Sequence, residues 1–540
     1  MDLKTWSAES SSEILLCGGF TQVPGPPDEY VLTLTTSGLY VQRLKGTPGV
    51  PEVVRHSDCL GSCAFRGPPA DPLGYYFIVT TYPPVGRRRR ELCLTFRVGG
   101  SPDPEANRQT AETWARRITQ LATPDVPTHG GAEYSLLPRP CQLLIFLNPH
   151  GGHGAALSLF KEHVLPMLSK AEIGFSLIVT ERPNHARELA REKNLDRFDA
   201  LVVMSGDGLM YEVVNGLMDR PDWSVAIKKP LGILPAGSGN ALAASVNHYS
   251  GHKQVMNPDL LINCTFYLCK GLVSPMDLVS IITASGKHIF SFLSVAWGFV
   301  SDVDIESEKY RMLGSIRFTI GTLVRLTALR TYKGRVSYLP AEEEGTSAST
   351  TIPGLLDPNS SHSERLSFGT QARQNSIYNF CNSNNMGTME GCGGHQRGGD
   401  IPTLEDSLLA PLDQSVPKHW TVVKEEKFVL VLAVQQSHLG ADLFSAPMVT
   451  GLNDRLIHLF YIPAGIPRSS LLKLFLAMED GTHMTHNCPH LVHVPVKAFR
   501  IEPFGSKDII TVDGEVIECE PLQGQVHSGL GRLVNGGRKS

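Results

Sequence analysis

Between residues 141 and about 270 the chain alternates short apolar runs with helical patterns, and three of the runs end directly in a glycine-rich turn. The turns are Asn148-Pro-His-Gly-Gly-His-Gly154, Ser205-Gly-Asp-Gly-Leu-Met-Tyr-Glu-Val-Val-Asn-Gly216 and Pro235-Ala-Gly-Ser-Gly-Asn-Ala241. The pattern predicts strands at 143–147, 175–180, 200–204 and 231–234, with helices at 155–169, 184–193 and 209–218 between them. Strands alternating with helices predict an open, largely parallel α/β sheet of the Rossmann-like kind. Ligands of such sheets bind outside the carboxyl ends of the strands, where these turns fall. Glycine lets backbone N–H groups come close to an anion, and the helix that follows adds a favourable dipole. A single Gly-Gly-x-Gly is best read as a tight turn. Three after successive strands predict a phosphate-binding edge. Neither the P-loop nor the dinucleotide fingerprint fits, because no Gly-Lys-Ser/Thr follows and the glycine spacing differs.

A length of 540 residues exceeds one ordinary core, so further domains are expected. Residues 1–26 are rich in Ser, Gly and Pro and read as a loose, disordered leader. From 27 to 123, β-like runs at 30–35, 38–44, 75–82 and 91–98 precede a helix at 107–121. Ala111, Trp114, Ala115, Ile118 and Leu121 share one face of that helix. Strands closed by one helix resemble a pleckstrin-homology-like module. A Pro-rich linker, 124–140, leads to the α/β domain at 141–272. Beyond it, 273–340 and 419–527 are β-rich and predict a second, antiparallel domain. Residues 341–418 interrupt this domain with Ser, Asn, Gly and acidic residues, a composition that cannot bury a core, and predict a disordered insert. Residues 528–540 read as a tail.

The net charge of −4 steers the protein towards neither nucleic acid nor anionic membrane, and no nucleic-acid partner is expected. The 11 cysteines lack zinc-site spacing and suit a reduced cytosolic or nuclear setting. No secretory signal is visible, and apolar runs such as 143–147 and 428–434 are far too short to span a bilayer, so a soluble protein is expected. The run Gly86-Arg-Arg-Arg-Arg90 reads first as a solvated hairpin tip. Its other readings are contact with anionic lipid heads and a nuclear import signal through Arg87–Arg90.

The blocks Asn148-Pro-x-Gly-Gly-x-Gly, Thr180-Glu-Arg-Pro-Asn-His-Ala-Arg187, Ser205-Gly-Asp-Gly and Gly237-Ser-Gly-Asn-Ala resemble the diacylglycerol-kinase-type lipid kinases. Within that fold, 204–223 and 295–321 look like sphingosine kinases, and the resemblance runs over about 141–340 and 418–527. The N-terminal extension, the Ser-rich insert and the ending Val526-His-Ser-Gly-Leu-Gly look more like the longer, second isoform.

The resemblance implies transfer of the γ-phosphate of Mg·ATP to the primary hydroxyl of a sphingoid base, giving sphingosine 1-phosphate. It implies that Asn148, Gly151, Gly152, Gly154, Thr180, Ser205, Gly206, Gly208, Gly237, Ser238 and Gly239 hold ATP. Arg311 and Arg317 would reach the phosphates. Asp513, Gly514 and Glu515 would return from the second domain to the nucleotide, with the two carboxylates on Mg²⁺ directly or through water. Asp207 would be the general base. His150 departs from the first isoform, which carries arginine there, and removes a permanent cation from the phosphate end. The implied setting is cytoplasmic with transient membrane association, and also nuclear.

Asp207 has a second reading from the residues alone, as the cap of a helix starting near Leu209. The acidic run Ser301-Asp-Val-Asp-Ile-Glu-Ser-Glu308 likewise suits a helix N-terminus. The resemblance gives Asp304 the lipid's ammonium and secondary hydroxyl. A carboxylate there separates a cationic amino head from the neutral heads of diacylglycerol and ceramide. Ser294, Phe299, Val300, Val303, Phe318, Thr322, Leu439, Phe460, Leu474, Phe475, Met478 and His483 match lipid-binding positions of the family. Without the resemblance most of them read as core. The competing readings are a ceramide or diacylglycerol kinase of the same fold and a non-catalytic lipid-binding scaffold.

Overall fold

The computed structural model describes residues 13–25, 28–44, 51–124, 126, 134–152, 154–307, 309, 316–341, 404–485 and 488–537, with the backbone alone at 316–318. Residues 1–12 of the expected leader, most of the expected insert and Arg311 lie outside them, as do the side chains of Arg317 and Phe318.

The N-terminal part is a seven-stranded antiparallel sheet closed by the helix Pro104–Ala122. Asp103 caps this helix by accepting the Glu105 N–H at 3.0 Å, and Pro104, which has no N–H to leave unpaired, occupies its first position. Its apolar face buries Trp114 against Phe20, with ring centroids 5.1 Å apart. Phe20 belongs to the strand Ile14–Val23, which pairs with Glu29–Thr35. The expected leader therefore contains a strand, and Gly18-Gly19 had blurred its alternation.

The expected α/β sheet is present. Gly174–Val179, Gln142–Leu147, Ala200–Ser205 and Leu231–Pro235 lie side by side in that order, all parallel. The two strands at its centre are buried on both faces, which is why they read as unbroken apolar runs. The β-rich part does not form a separate sheet. Leu522–Asn535 runs parallel to Leu231–Pro235 through Leu533 and antiparallel to both Leu272–Thr283 and Val492–Pro503. This last strand joins the α/β and β-rich parts into one sheet, sixteen-stranded among the described residues, and it extends to Asn535 within the segment expected to be a tail.

Two further expectations need correction. The end of the expected insert, 404–418, lies against the sheet. Arg500, 1% exposed, donates to the carbonyls of Ala410 at 2.8 Å and Gln414 at 2.6 Å, and Leu408 N–H donates to Gln525 Oε1 at 2.8 Å. Buried donors need partners, and this irregular segment supplies them. The arginine run is a hairpin tip with Arg87, Arg88 and Arg90 exposed, as expected, but its remaining arginine is not solvated. Arg89 is 6% exposed, donates to Asp58 Oδ1 at 2.9 Å, and stacks 4.2 Å over the Phe266 ring. Arg88 pairs with Asp259 at 2.9 Å. Both contacts fall on the helix Asp259–Lys270, so the run docks the N-terminal module onto the core.

Candidate functional site

The three glycine-rich turns meet at the carboxyl edge of the parallel strands. They pack backbone to backbone, at distances no side chain would allow. A Cβ on Gly237 would lie 2.5 Å from the Gly206 nitrogen, and one on Gly152 would lie 2.7 Å from the Ala236 oxygen. Gly152 and Gly154 also have φ of +55° and +74°, a conformation that favours glycine. Polar groups lock the edge. Asn148 Oδ1 accepts the His150 N–H at 2.9 Å, and Asn240 Oδ1 accepts the Gly237 N–H at 2.9 Å. Thr180 N–H donates to the Leu147 carbonyl at 2.8 Å.

Asp207 begins the helix Asp207–Met218, but its carboxylate does not cap that helix from outside. It caps another, Ala241–Tyr249: Oδ2 accepts the Ala241 N–H at 2.8 Å and Oδ1 the Leu242 N–H at 3.0 Å. The same side chain lines the cleft, and the expected cap on the helix near Leu209 is not made. Burial pushes its carboxyl above the ordinary range, and the two amides oppose that shift. Glu212 on the same helix accepts the N–H groups of Asn184 at 3.0 Å and Ala186 at 3.1 Å, which fixes the loop after Thr180. Sequence reasoning missed Glu212, because a lone glutamate on a helix carries no motif.

The second part of the sheet returns through the turn at Asp513 and Gly514, whose φ values are +52° and +87°. Asp513 is buried and already saturated. Its carboxylate accepts Ser291 Oγ–H at 2.6 Å and the N–H groups of Phe292, Leu293 and Ser294 at 2.9–3.0 Å. Burial nonetheless pushes this carboxyl up to about 6. So many donors suit a strut that fixes the turn better than a metal ligand. Glu515 is exposed, and its carboxylate overlies Gly208 where a Cβ would sit. A Cβ on Gly514 would lie 3.4 Å from Asp304 Oδ2, which brings the acidic helix Phe299–Ser307 to the same place. Among the described residues no group of three His, Cys, Asp or Glu side chains is arranged to hold a metal by itself.

One cavity of about 660 Å³ runs from these groups into an apolar end. Asn148, Gly151, Thr180, Ser205, Gly206, Asp207, Gly208, Gly237, Ser238, Gly239, Asp513, Gly514 and Glu515 line its polar part. Ser294, Val300, Val303, Asp304, Thr322, Leu439 and Phe475 line the remainder. Gly152 and Gly154 shape the first turn without lining the cavity. Phe299, Phe460 and Leu474 belong to the core behind the wall, each at most 5% exposed. The Phe299 ring backs Phe475 at 5.1 Å. Met478 does not line the cavity, and the buried His483 has Nε2 3.0 Å from the Ser445 carbonyl oxygen. Leu443, Leu472, Leu476 and Asp442 do line it and were not anticipated, since periodicity alone does not separate wall from core.

A profile of the diacylglycerol kinase catalytic domain matches residues 142–281, which hold the parallel strands and all three turns. Sphingosine kinase 1 of Homo sapiens is 52% identical over 411 residues, covering 75% of this chain and 94% of that protein. The chain belongs to the sphingosine kinase family. Sphingosine kinase 2 of Homo sapiens is 40% identical over 605 aligned positions, covering 98% of this chain and 92% of that protein. A solved diacylglycerol kinase from Bacillus anthracis str. Sterne aligns at 15% identity with a TM-score of 0.40, covering 73% of this chain and 96% of that one. The sphingosine kinase likeness thus extends well beyond the profile, to the part of the chain that carries Asp304, Leu439 and Asp513.

Proposed function

We propose that this sphingosine kinase family member transfers the γ-phosphate of ATP to the primary hydroxyl of sphingosine and related sphingoid bases, with Asp207 as general base. One observation carries the reading: a single cavity joins three amide-rich turns, an unblocked carboxylate between glycines, and an apolar slot. Phosphoryl transfer asks mainly for positioning and for neutralised charge on the transferring group. The turn amides meet the triphosphate, and Thr180 and Asn148 fix the nucleotide end. Arg311 and Arg317 are assigned to the phosphates by likeness to the family. Asp207 spends one lone pair of each oxygen on an amide and keeps others for the lipid hydroxyl, whose proton it takes as the oxygen attacks phosphorus. Raised by burial, it is a stronger base than an exposed aspartate.

Mg²⁺ bound with the nucleotide would neutralise phosphate charge, and Glu515 is the carboxylate best placed to help hold it. Asp513 acts on the metal only by fixing the turn that carries Glu515. Asp304 receives the lipid ammonium. The exposed Leu323 and Leu476, which also line the cavity, form an apolar rim suited to a membrane surface, from which a single-chain lipid would enter. No helix among the described residues is long and apolar enough to cross a membrane. The N-terminal sheet and helix suit a pleckstrin-homology-like module. A cytoplasmic, membrane-visiting enzyme follows from this reading. Nuclear entry through Arg87–Arg90 has weaker support, because Arg89 is buried.

The test is purified protein with Mg·ATP and a panel of sphingosine, ceramide and diacylglycerol, with Asp207→Asn and Asp304→Asn. Sphingosine should be the preferred acceptor. Asp304→Asn should lower kcat/KM for sphingosine by roughly 10- to 100-fold and leave neutral lipids little changed. Preference for a neutral lipid, or transfer surviving in Asp207→Asn, would overturn the assignment.

A further inference from the structure

The loop between the strands Lys427–Val434 and Ile457–Pro463 carries a carboxylate that neither the fold nor the mechanism above uses. Leu439 and Leu443 face the apolar part of the cavity, and Asp442 lines it beside them. The loop is held in place. Ala441 N–H donates to the Gly239 carbonyl at 2.8 Å, and Gln254 Nε2–H donates to the Ala441 carbonyl at 2.9 Å. Gly239 in turn adjoins the base: a Cβ there would lie 3.5 Å from Asp207 Oδ2.

The Asp442 carboxylate folds back towards that turn. A Cβ on Gly440 would sit 3.4 Å from Asp442 Oδ1 and 3.9 Å from the Gly239 oxygen. Asp442 is half-buried, and no described residue gives it a hydrogen bond or an ion pair. Among the described residues the arginine that lines the cavity, Arg182, is occupied by Glu188 through two hydrogen bonds of 2.6 Å. A carboxylate without a partner beside an anion-binding turn is repelled by whatever phosphate sits there unless a cation lies between them. The base on one side and the tail wall on the other fix where that cation belongs. A sphingoid base carries its ammonium one carbon from the carbon that bears its primary hydroxyl, so a lipid with its hydroxyl at Asp207 and its tail along Leu439 and Leu443 would bring a cation to this part of the cavity.

Resting on the kinase reading above, we propose that Asp442 is a second head-group carboxylate, which binds the lipid ammonium together with Asp304 and contributes to selection of cationic over neutral lipids. The test is steady-state kinetics of the full chain with Mg·ATP and sphingosine in mixed micelles, comparing wild type, Asp442→Asn and Asp442→Glu. Asp442→Asn should raise KM for sphingosine roughly three- to tenfold, an ordinary size for a partly screened charge contact. KM for ATP and the Mg²⁺ requirement should stay within about twofold, and Asp442→Glu should recover part of the loss. The defect should shrink as salt rises. It should vanish for a neutral N-acetylated base, which lacks the ammonium. Tm should not move, because Asp442 holds nothing within the described fold.

An unchanged KM for sphingosine in an active enzyme would overturn this inference alone. A raised ATP or Mg²⁺ requirement would also overturn it, by assigning Asp442 to the nucleotide side. If wild type does not phosphorylate sphingosine, the kinase reading fails first and this inference falls with it.

Discussion

Asp207 Oδ2 accepts the backbone N–H of Ala241 at 2.8 Å, so a carboxylate on one helix closes the N-terminus of another. The proposed base therefore also sets the spacing between the second and third glycine-rich turns. Its position is determined by the fold rather than by its own rotamer freedom, which is what a base aimed at a hydroxyl requires.

Asp207→Asn keeps an oxygen for one amide and loses the proposed base. Its kcat should fall by about 10²–10⁴-fold, with a stability loss of only about 1–2 kcal/mol. Because burial raises the Asp207 carboxyl, the ionised base is lost as pH falls, earlier than for an exposed aspartate. The acid limb of the wild-type pH profile should accordingly lie above the usual carboxylate range. Kinetics and thermal melts check both points.

Gly237→Ala should separate the turns. The added Cβ would lie 2.5 Å from the Gly206 nitrogen, and backbone cannot swing aside as a side chain can. KM for ATP should rise at least roughly tenfold, with about 1–3 kcal/mol lost in stability. Nucleotide titration and melting measure the two effects separately.

Asp513→Asn should destabilise the Asp513–Glu515 turn. An amide NH₂ cannot accept the Phe292 N–H, which leaves a buried donor unmet at about 1–3 kcal/mol. Burial raises the wild-type carboxyl from 3.8 to about 6, so the folded state binds this proton more tightly than the unfolded one. That contribution is full below about pH 4 and is lost as pH rises through about 6. The Tm gap between wild type and Asp513→Asn should therefore be widest near pH 4 and narrow towards pH 7. A gap that widens with pH would mean the four donors outweigh burial.

Lys270→Met should loosen the N-terminal module. Lys270 Nζ donates to the carbonyls of Cys59 at 2.9 Å and His56 at 3.3 Å, and also to that of Ala122. The methionine matches its length and leaves those acceptors unpaired, at about 1–3 kcal/mol. Limited proteolysis should release the module more readily, with kcat little affected.

The glycine-rich edge was legible because its information is local. The strands Gln142–Leu147 and Ala200–Ser205 are buried on both faces and so appear as apolar runs, and the glycines that follow them are demanded by close backbone approach. Asp207 could be picked out for the same reason, lying between two of those glycines. The lipid end was legible only through family likeness, and even then wall and core were mixed. Phe460 and Leu474 turned out to be core, whereas Leu443 and Leu472 face the cavity, because which side of an apolar residue meets a void depends on elements distant in sequence.

The amino-acid sequence by itself determined the parallel strands, the three turns and the chemistry they can hold, since each depends on residues within a few positions of one another. Only the tertiary structure decided that Leu522–Asn535 joins both halves into one sheet, that Arg89 is buried in a docking contact, and that Asp513 is saturated by Ser291, Phe292, Leu293 and Ser294. Those outcomes turn on which distant segment satisfies a given donor, acceptor or charge once water is excluded, and composition and spacing do not record that pairing.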